Sequence, residues 1–204
     1  QSALDRFTRG RLLFARASAT HSERDLARAH TLARQSLALR DHRNGEATEL
    51  LATILMSRHE FRDARSVALR ADSVMPGTPA LLALLGEIEL ELGEYEAAKL
   101  HFRAVNFDGR EFTIGARIAR WYEVTGRAAE ARAMLHRAIG QVARRDDMPR
   151  EQAAWFDYRL GELELRLGRL ASADSAFQQG LQKNPDDIRM LSGLTRAALA
   201  RRDW

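Results

Sequence analysis

A chain of 204 residues, 45% hydrophobic and 29% charged, has the material for a packed core and is not a disordered polymer. It contains no cysteine, which excludes disulfides, thiolate zinc sites and cysteine nucleophiles together. The formal net charge is +4, and no apolar run approaches the roughly 18 residues of a membrane-spanning helix. Arginine supplies all of the 32 basic residues except Lys99 and Lys183, interleaved with Asp and Glu rather than gathered in blocks. Such a skew reads as genome composition and disfavours a nucleic-acid partner. The chain opens at Gln1 with no initiator Met, which reads as a processed or trimmed start. A cysteine-free chain suits the cytosol and export alike, so the compartment stays open.

The elements follow in order. A first helix is predicted over residues 3–17, then a join at 18–21 several residues longer than the later ones. A second helix at 22–40 is opened by the capping signal Ser22 and Asp25. The next pair turns at His59, carries Phe61, Ala64, Ala68 and Ala71 on its second helix, and ends before Pro76. Residues 81–92 place Leu81, Leu85, Ile88 and Leu92 at helical spacing, with Leu82, Leu84 and Leu90 widening the stripe. Apolar residues on more than one face describe a helix covered on two sides. Gly93 then opens a turn, followed by Ala98 and Phe102; Gly126 opens the next, followed by Ala131, Leu135 and Ala138.

Residues 139–155 hold an insertion of about eight residues relative to the repeat length. We read it as a second helix prolonged to Arg145, a turn at Asp146 and Asp147, and a long helix begun near Pro149, together a protruding pair. Gly168, Ala173, Phe177 and Pro185 follow, then a last helix from Asp187 to about Arg201. Arg202, Asp203 and Trp204 align with Gly93, Glu94 and Tyr95, which open a second helix; the ending reads either as a lone capping helix or as a larger protein cut between two helices. No strand-like alternation of useful length occurs.

Two segments align without gaps, 81–105 and 156–180: Gly86 falls on Gly161, Gly93 on Gly168, Ala98 on Ala173 and Phe102 on Phe177. The turn residues His59, Gly93, Gly126, Gly168 and Arg202 are spaced 34, 33, 42 and 34 apart. With these columns the chain resembles the tetratricopeptide repeat (TPR) family over nearly its whole length. The resemblance implies an all-α, right-handed superhelical solenoid of antiparallel helix pairs. About five and a half repeats are expected in one domain: 3–43, 44–77, 78–111, 112–148 and 149–186, with a final helix at 187–204. Small residues in the first helices (Ala52, Gly86, Ala119, Gly161) and second helices (Ala64, Ala98, Ala131, Ala173) allow close approach. Phe102, Leu135 and Phe177 fill the space between units, with Ala68 a smaller version.

No constellation for chemistry assembles. His21, His30, His42, His59, His101 and His136 are scattered, with no pair at metal-ligand spacing, so neither a metal nor another cofactor is expected. Glu87, Glu89, Glu91, Glu94 and Glu96 alternate, which places neighbours on different helix faces and not in a catalytic pair. There is no G-x-S-x-G context and no glycine-rich phosphate loop. No catalytic residue is expected.

In the resembled family the first helices line a concave groove. Transferred here, the groove would hold Glu46, Glu49 and Thr53, then Ala83, Glu87 and Glu91. Further along it would hold Thr113, Arg117 and Arg120, then Trp155, Tyr158, Arg159, Glu162 and Arg166, and last Arg189 and Arg196. Its early part is acidic and its late part arginine-rich. The family's carboxylate clamp needs Asn residues that these helices lack, so that role is rejected. Arginine forks suit other carboxylates or phosphates, and Trp155 and Tyr158 are of hot-spot type. The expected partner is a protein or peptide segment, with its acidic portion against the late repeats. Self-association and a role as the repeat arm of a larger enzyme or regulator stand beside that reading. A far-ultraviolet circular dichroism spectrum should be that of an almost wholly helical protein; substantial strand content would end the repeat assignment.

Overall fold

The computed structural model describes residues 2–40 and 44–201, with Ala19 described for its backbone only. The expectations placed on His42, on the 41–43 end of the first repeat and on residues 202–204 lie outside the described residues. Among the described residues there are eleven α-helices and no strand. They are α1 (Ala3–Thr20), α2 (Glu23–Ala38), α3 (Gly45–Ser57), α4 (Phe61–Val74), α5 (Pro79–Glu91) and α6 (Tyr95–Ala104). They continue with α7 (Phe112–Val124), α8 (Ala128–Val142), α9 (Arg150–Arg166), α10 (Leu170–Lys183) and α11 (Ile188–Arg201). Two compact units contain them, residues 1–106 with α1–α6 and residues 107–204 with α7–α11.

The helix breaks fall where the backbone needs a left-handed residue. Gly93, Gly126 and Gly168 have φ of 76°, 76° and 70°, and each stands between the two helices of a pair. His59 adopts the same region at φ 60° without being glycine, a conformation uncommon for side chains with a Cβ. Chain direction then reverses within two or three residues. Ser22 caps α2 as expected, its Oγ accepting from the Asp25 N–H at 3.3 Å. The Asp25 carboxylate instead reaches back to α1, where Arg16 donates to it through Nε and Nη2 at 2.6 and 2.7 Å.

Two expectations change. The join at residues 18–21 is not a longer loop: α1 continues to Thr20 and ends on His21 at φ 51°, so the extra residues lengthen the helix. The insertion lengthens α8 and α9 to 15 and 17 residues, but α8 stops at Val142 rather than Arg145. Nor does the prolonged pair stand bare. Val142 and Phe156 are buried with Phe112 and Ala138 in one apolar cluster, against which Met148 and Trp155 pack.

Ring-on-glycine contacts recur in the two matched segments. A Cβ on Gly86 would lie 2.6 Å from the Phe102 ring, and one on Gly161 2.5 Å from the Phe177 ring. Phe177 also covers Gly193 of α11, where an added Cβ would again come within 2.5 Å. One ring therefore fixes the distance between its own pair and the following first helix. Replacing Gly86 or Gly161 by Leu should cost roughly 1–3 kcal/mol or more, because the buried ring has no room to move away. Urea denaturation of the two variants checks this; wild-type midpoints in both would mean that the columns are misassigned.

Candidate functional site

Polar side chains at the first helices sort by unit. In the first unit Glu49 of α3 and Glu87 of α5 are half-buried, and Glu91 at the end of α5 is exposed. Ala83, expected to face a groove, is fully buried, because both faces of α5 are covered at that level. The second unit holds Arg117 and Arg120 on α7, Trp155, Tyr158, Arg159 and Arg166 on α9, and Arg196 on α11.

These arginines are not an uncompensated wall. Glu123, one turn beyond Arg120 on α7, gathers three of them. Arg159 Nη2 donates to it at 3.0 Å, Arg120 approaches at 3.4 Å and Arg166 makes a closer ion pair. Glu162 on α9 repeats the arrangement, bonded to Arg196 of α11 and 3.6 Å from Arg166. Four guanidinium groups from three successive first helices thus share two carboxylates, with Arg166 bridging them. Sequence reading missed Glu123, although its place three residues after Arg120 on the same helix was a usable signal.

The aromatic residues hold further cations. Arg159 lies over the Trp155 ring at 5.8 Å, and Trp155 itself meets Phe156 edge-on at 5.0 Å, which ties part of its ring to the core. Arg189 lies over Tyr158 at 5.7 Å. Its position is set by Asp187, which accepts from Arg189 Nε at 2.9 Å and Nη2 at 2.6 Å, with Glu151 3.8 Å away on α9. These hydrogen bonds from Arg189 hold the Asp187 carboxyl below its ordinary value, against the opposing effect of burial.

A second kind of ion pair lies away from this face. Glu89 is fully buried on α5, 2.6 Å from His101 Nδ1 of α6 and 3.5 Å from Arg65 of α4. Glu164, its counterpart on α9, is buried with Arg132 of α8 bonded to it and Arg169 3.7 Å away. Among the described residues no group of three or more His, Cys, Asp or Glu could hold a metal ion, and no helix is long and apolar enough to cross a membrane.

No protein-family model matches the chain, and no curated protein matches its sequence. Solved structures do match its fold. The Cut9 and Hcn1 hetero-tetramer of the APC/C superposes with a TM-score of 0.80 at 16% identity, over 98% of this chain and 37% of that one. TTC0263, a thermophilic TPR protein of Thermus thermophilus, superposes at 0.75 with 20% identity, over 97% of this chain and all of that one. YrrB, described as a TPR protein with an unusual peptide-binding site, gives 0.55 at 17% identity over 95% and 92% of the two chains. The chain thus spans little more than a third of one matched protein and the whole of another.

Asp187 carries a pH prediction. Its carboxyl is held below the ordinary aspartate value in the folded protein by the Arg189 hydrogen bonds, so its contribution is complete above the unfolded value and is lost as pH falls through the folded one. Asp187→Asn should lower stability at neutral pH by about 1 kcal/mol, a magnitude discounted for the half-exposed Arg189. Thermal melts in increasingly acid buffers should show the gap to wild type closing; a gap constant down to acid unfolding would remove the Asp187–Arg189 bond from the account.

Proposed function

We propose that this TPR-like helical-repeat chain is a protein-interaction module, and that it takes a partner segment on the first-helix face rather than catalysing a reaction. The observation that supports this most is the shared network of Arg120, Arg159, Arg166 and Arg196 around Glu123 and Glu162. Guanidinium forks donate in plane to paired acceptor oxygens, and each has more donors than one carboxylate can use. An acidic segment entering the face adds acceptors to donors already held in place. Glu123 then acts as an internal stand-in that keeps the arginines extended while the face is empty. Trp155 and Tyr158 flank the network and supply the rigid apolar area that anchors peptides.

The remaining groove residues belong to the same proposal: Glu49, Glu87 and Glu91 take the basic or neutral part of the segment, and Arg117 extends the cationic part. So does the reading of residues 1–204 as a single helical-repeat domain. YrrB supports a peptide ligand, since its description names a peptide-binding site.

Reversing Arg120 and Arg159 to Glu tests the reading. Both are partly exposed, so the helical circular dichroism signal should be unchanged while capture of an acidic partner is lost. A fluorescein-labelled Glu- and Asp-rich peptide serves as the first probe, read by anisotropy. Wild-type affinity should also fall as salt rises. Capture that survives the double reversal at low salt would exclude this face as the binding site.

A further inference from the structure

The second helices of the second unit enclose a cleft that the interaction face does not use. It lies between α8 and α10 over α9, with a volume of about 350 Å³, at the small end of the range that takes small organic ligands. Its floor is apolar, formed by the buried Leu160 and Ala176 with Ile139 beside them. Its walls carry hydrogen-bond donors on both sides. Arg132 and His136 stand on the α8 wall, four residues apart and so on one helix face. Ser172 and Ser175 stand on the α10 wall, three apart. These donors are not used up by the fold. Arg132 bonds the buried Glu164 through Nε, and its side chain stays 40% exposed, which leaves terminal N–H groups to the cleft. Ser175 accepts from Gln179 Nε2 at 3.2 Å, so its hydroxyl proton remains to be donated. Ser172 stands in the first turn of α10, where no side chain caps the helix and negative charge is favoured. Glu164 is shared between Arg132 and Arg169, the latter 3.7 Å away, so the two guanidinium groups exceed it by one charge. The one acid on each wall helix is paired elsewhere, Glu130 with Arg127 and Asp174 with Arg201.

We infer that this cleft binds a phosphate monoester. The phosphate sits between Arg132 and His136 on one side and the two serines on the other, and the organic group lies on the apolar floor. The placement of the donors favours phosphate over carboxylate. A carboxylate offers two oxygens in one plane, which a single guanidinium fork satisfies. A phosphate monoester offers three acceptor oxygens that can face both walls, and a charge of roughly −1.5 to −2 at neutral pH. The first unit supplies a contrast. A cleft of about 300 Å³ there has His30 and Arg34 on α2, and Ser66 on α4 in the place of Ser175. Where Ser172 precedes Ala173, however, Asp63 precedes the aligned Ala64. Asp63 and Glu60 set two carboxylates against Arg34 and Arg70 on the walls of that cleft, and like charge opposes an anion. The site is therefore confined to the second unit. It is separate from the arginine network and stands independently of the function proposed for that face.

The test titrates the 204-residue protein with phenyl phosphate by isothermal calorimetry, with benzoate and inorganic phosphate for comparison. Saturable binding of phenyl phosphate is expected, with benzoate and inorganic phosphate each roughly tenfold weaker. Ser172→Asp writes the first unit's residue into the cleft and should weaken phenyl phosphate by about tenfold or more. An acid is favourable in the first turn of a helix, so this variant folds. Ser175→Ala, at an exposed position, is a second variant and should also weaken binding. Absence of saturable binding, or affinity indifferent to both substitutions, overturns the proposal. Benzoate bound as tightly as phenyl phosphate overturns it in favour of a general anion site. Loss of binding in the variant with Arg120 and Arg159 reversed to Glu puts the probe on the first-helix face and overturns it too. A phosphotyrosine peptide run beside phenyl phosphate separates two sources of the same chemistry. Tighter binding of the peptide supports the proposal with a modified partner chain as ligand, and tighter binding of the free ester supports it with a small molecule.

Discussion

A phenylalanine ring packed against a glycine sets the helix spacing at one place in each of the two units. Where Phe102 covers Gly86 and Phe177 covers Gly161 and Gly193, the helices stand closer than any Cβ would permit. Close approach is what lets short helices of 10 to 18 residues bury enough surface to persist, since isolated helices of that length are marginal in water. The left-handed glycines then become a necessity rather than an ornament. Two helices packed that tightly must reverse within a few residues, and a residue at φ near 75° does it.

Electrostatics is arranged on two levels. On the face of α7, α9 and α11 the arginines are partly solvated while Glu123 and Glu162 are largely covered, so the guanidinium groups keep donors open to water. Between pairs the situation is reversed. Glu89 and Glu164 are out of water and each has two partners, so a charge would be stranded, at a cost of about 3–5 kcal/mol, only on removing both. The second set, with the apolar core, serves the fold, which leaves the first set to the recognition role proposed above.

Much of the fold was legible because its constraints are local. Glycine at a left-handed turn, alanine four residues before an aromatic, and proline after a helix each have one physical meaning. The misplaced features are those fixed by tertiary packing. Nothing in residues 18–20 says whether they form a loop or a last helical turn. The extended α8 and α9 looked like a naked projection until Phe112 met Val142 and Phe156. At the candidate site the arginines were found and their counter-ion was not. Glu123 lies beyond the groove positions carried over from the family, and its role depends on side chains that reach it from α9. The inward placement of Ala83 failed for a similar reason, since the width of a groove is decided by neighbours and not by the helix that lines it.

The buried carboxylates have a consequence for how such a gene can change. Glu89 sits in one pair and its arginine, Arg65, in the pair before; Glu164 and Arg132 are divided the same way. Each of these two carboxylates is also read from its own pair, by His101 and by Arg169. The cation position of the preceding pair recurs as well, since Lys99 stands after Ala98 where Arg65 and Arg132 stand after Ala64 and Ala131. Deleting or duplicating a unit in frame, the usual way for a tandem array to grow or shrink, would set these glutamates against another Lys or Arg, so the interior tolerates a change in copy number as long as the inserted unit keeps its cation.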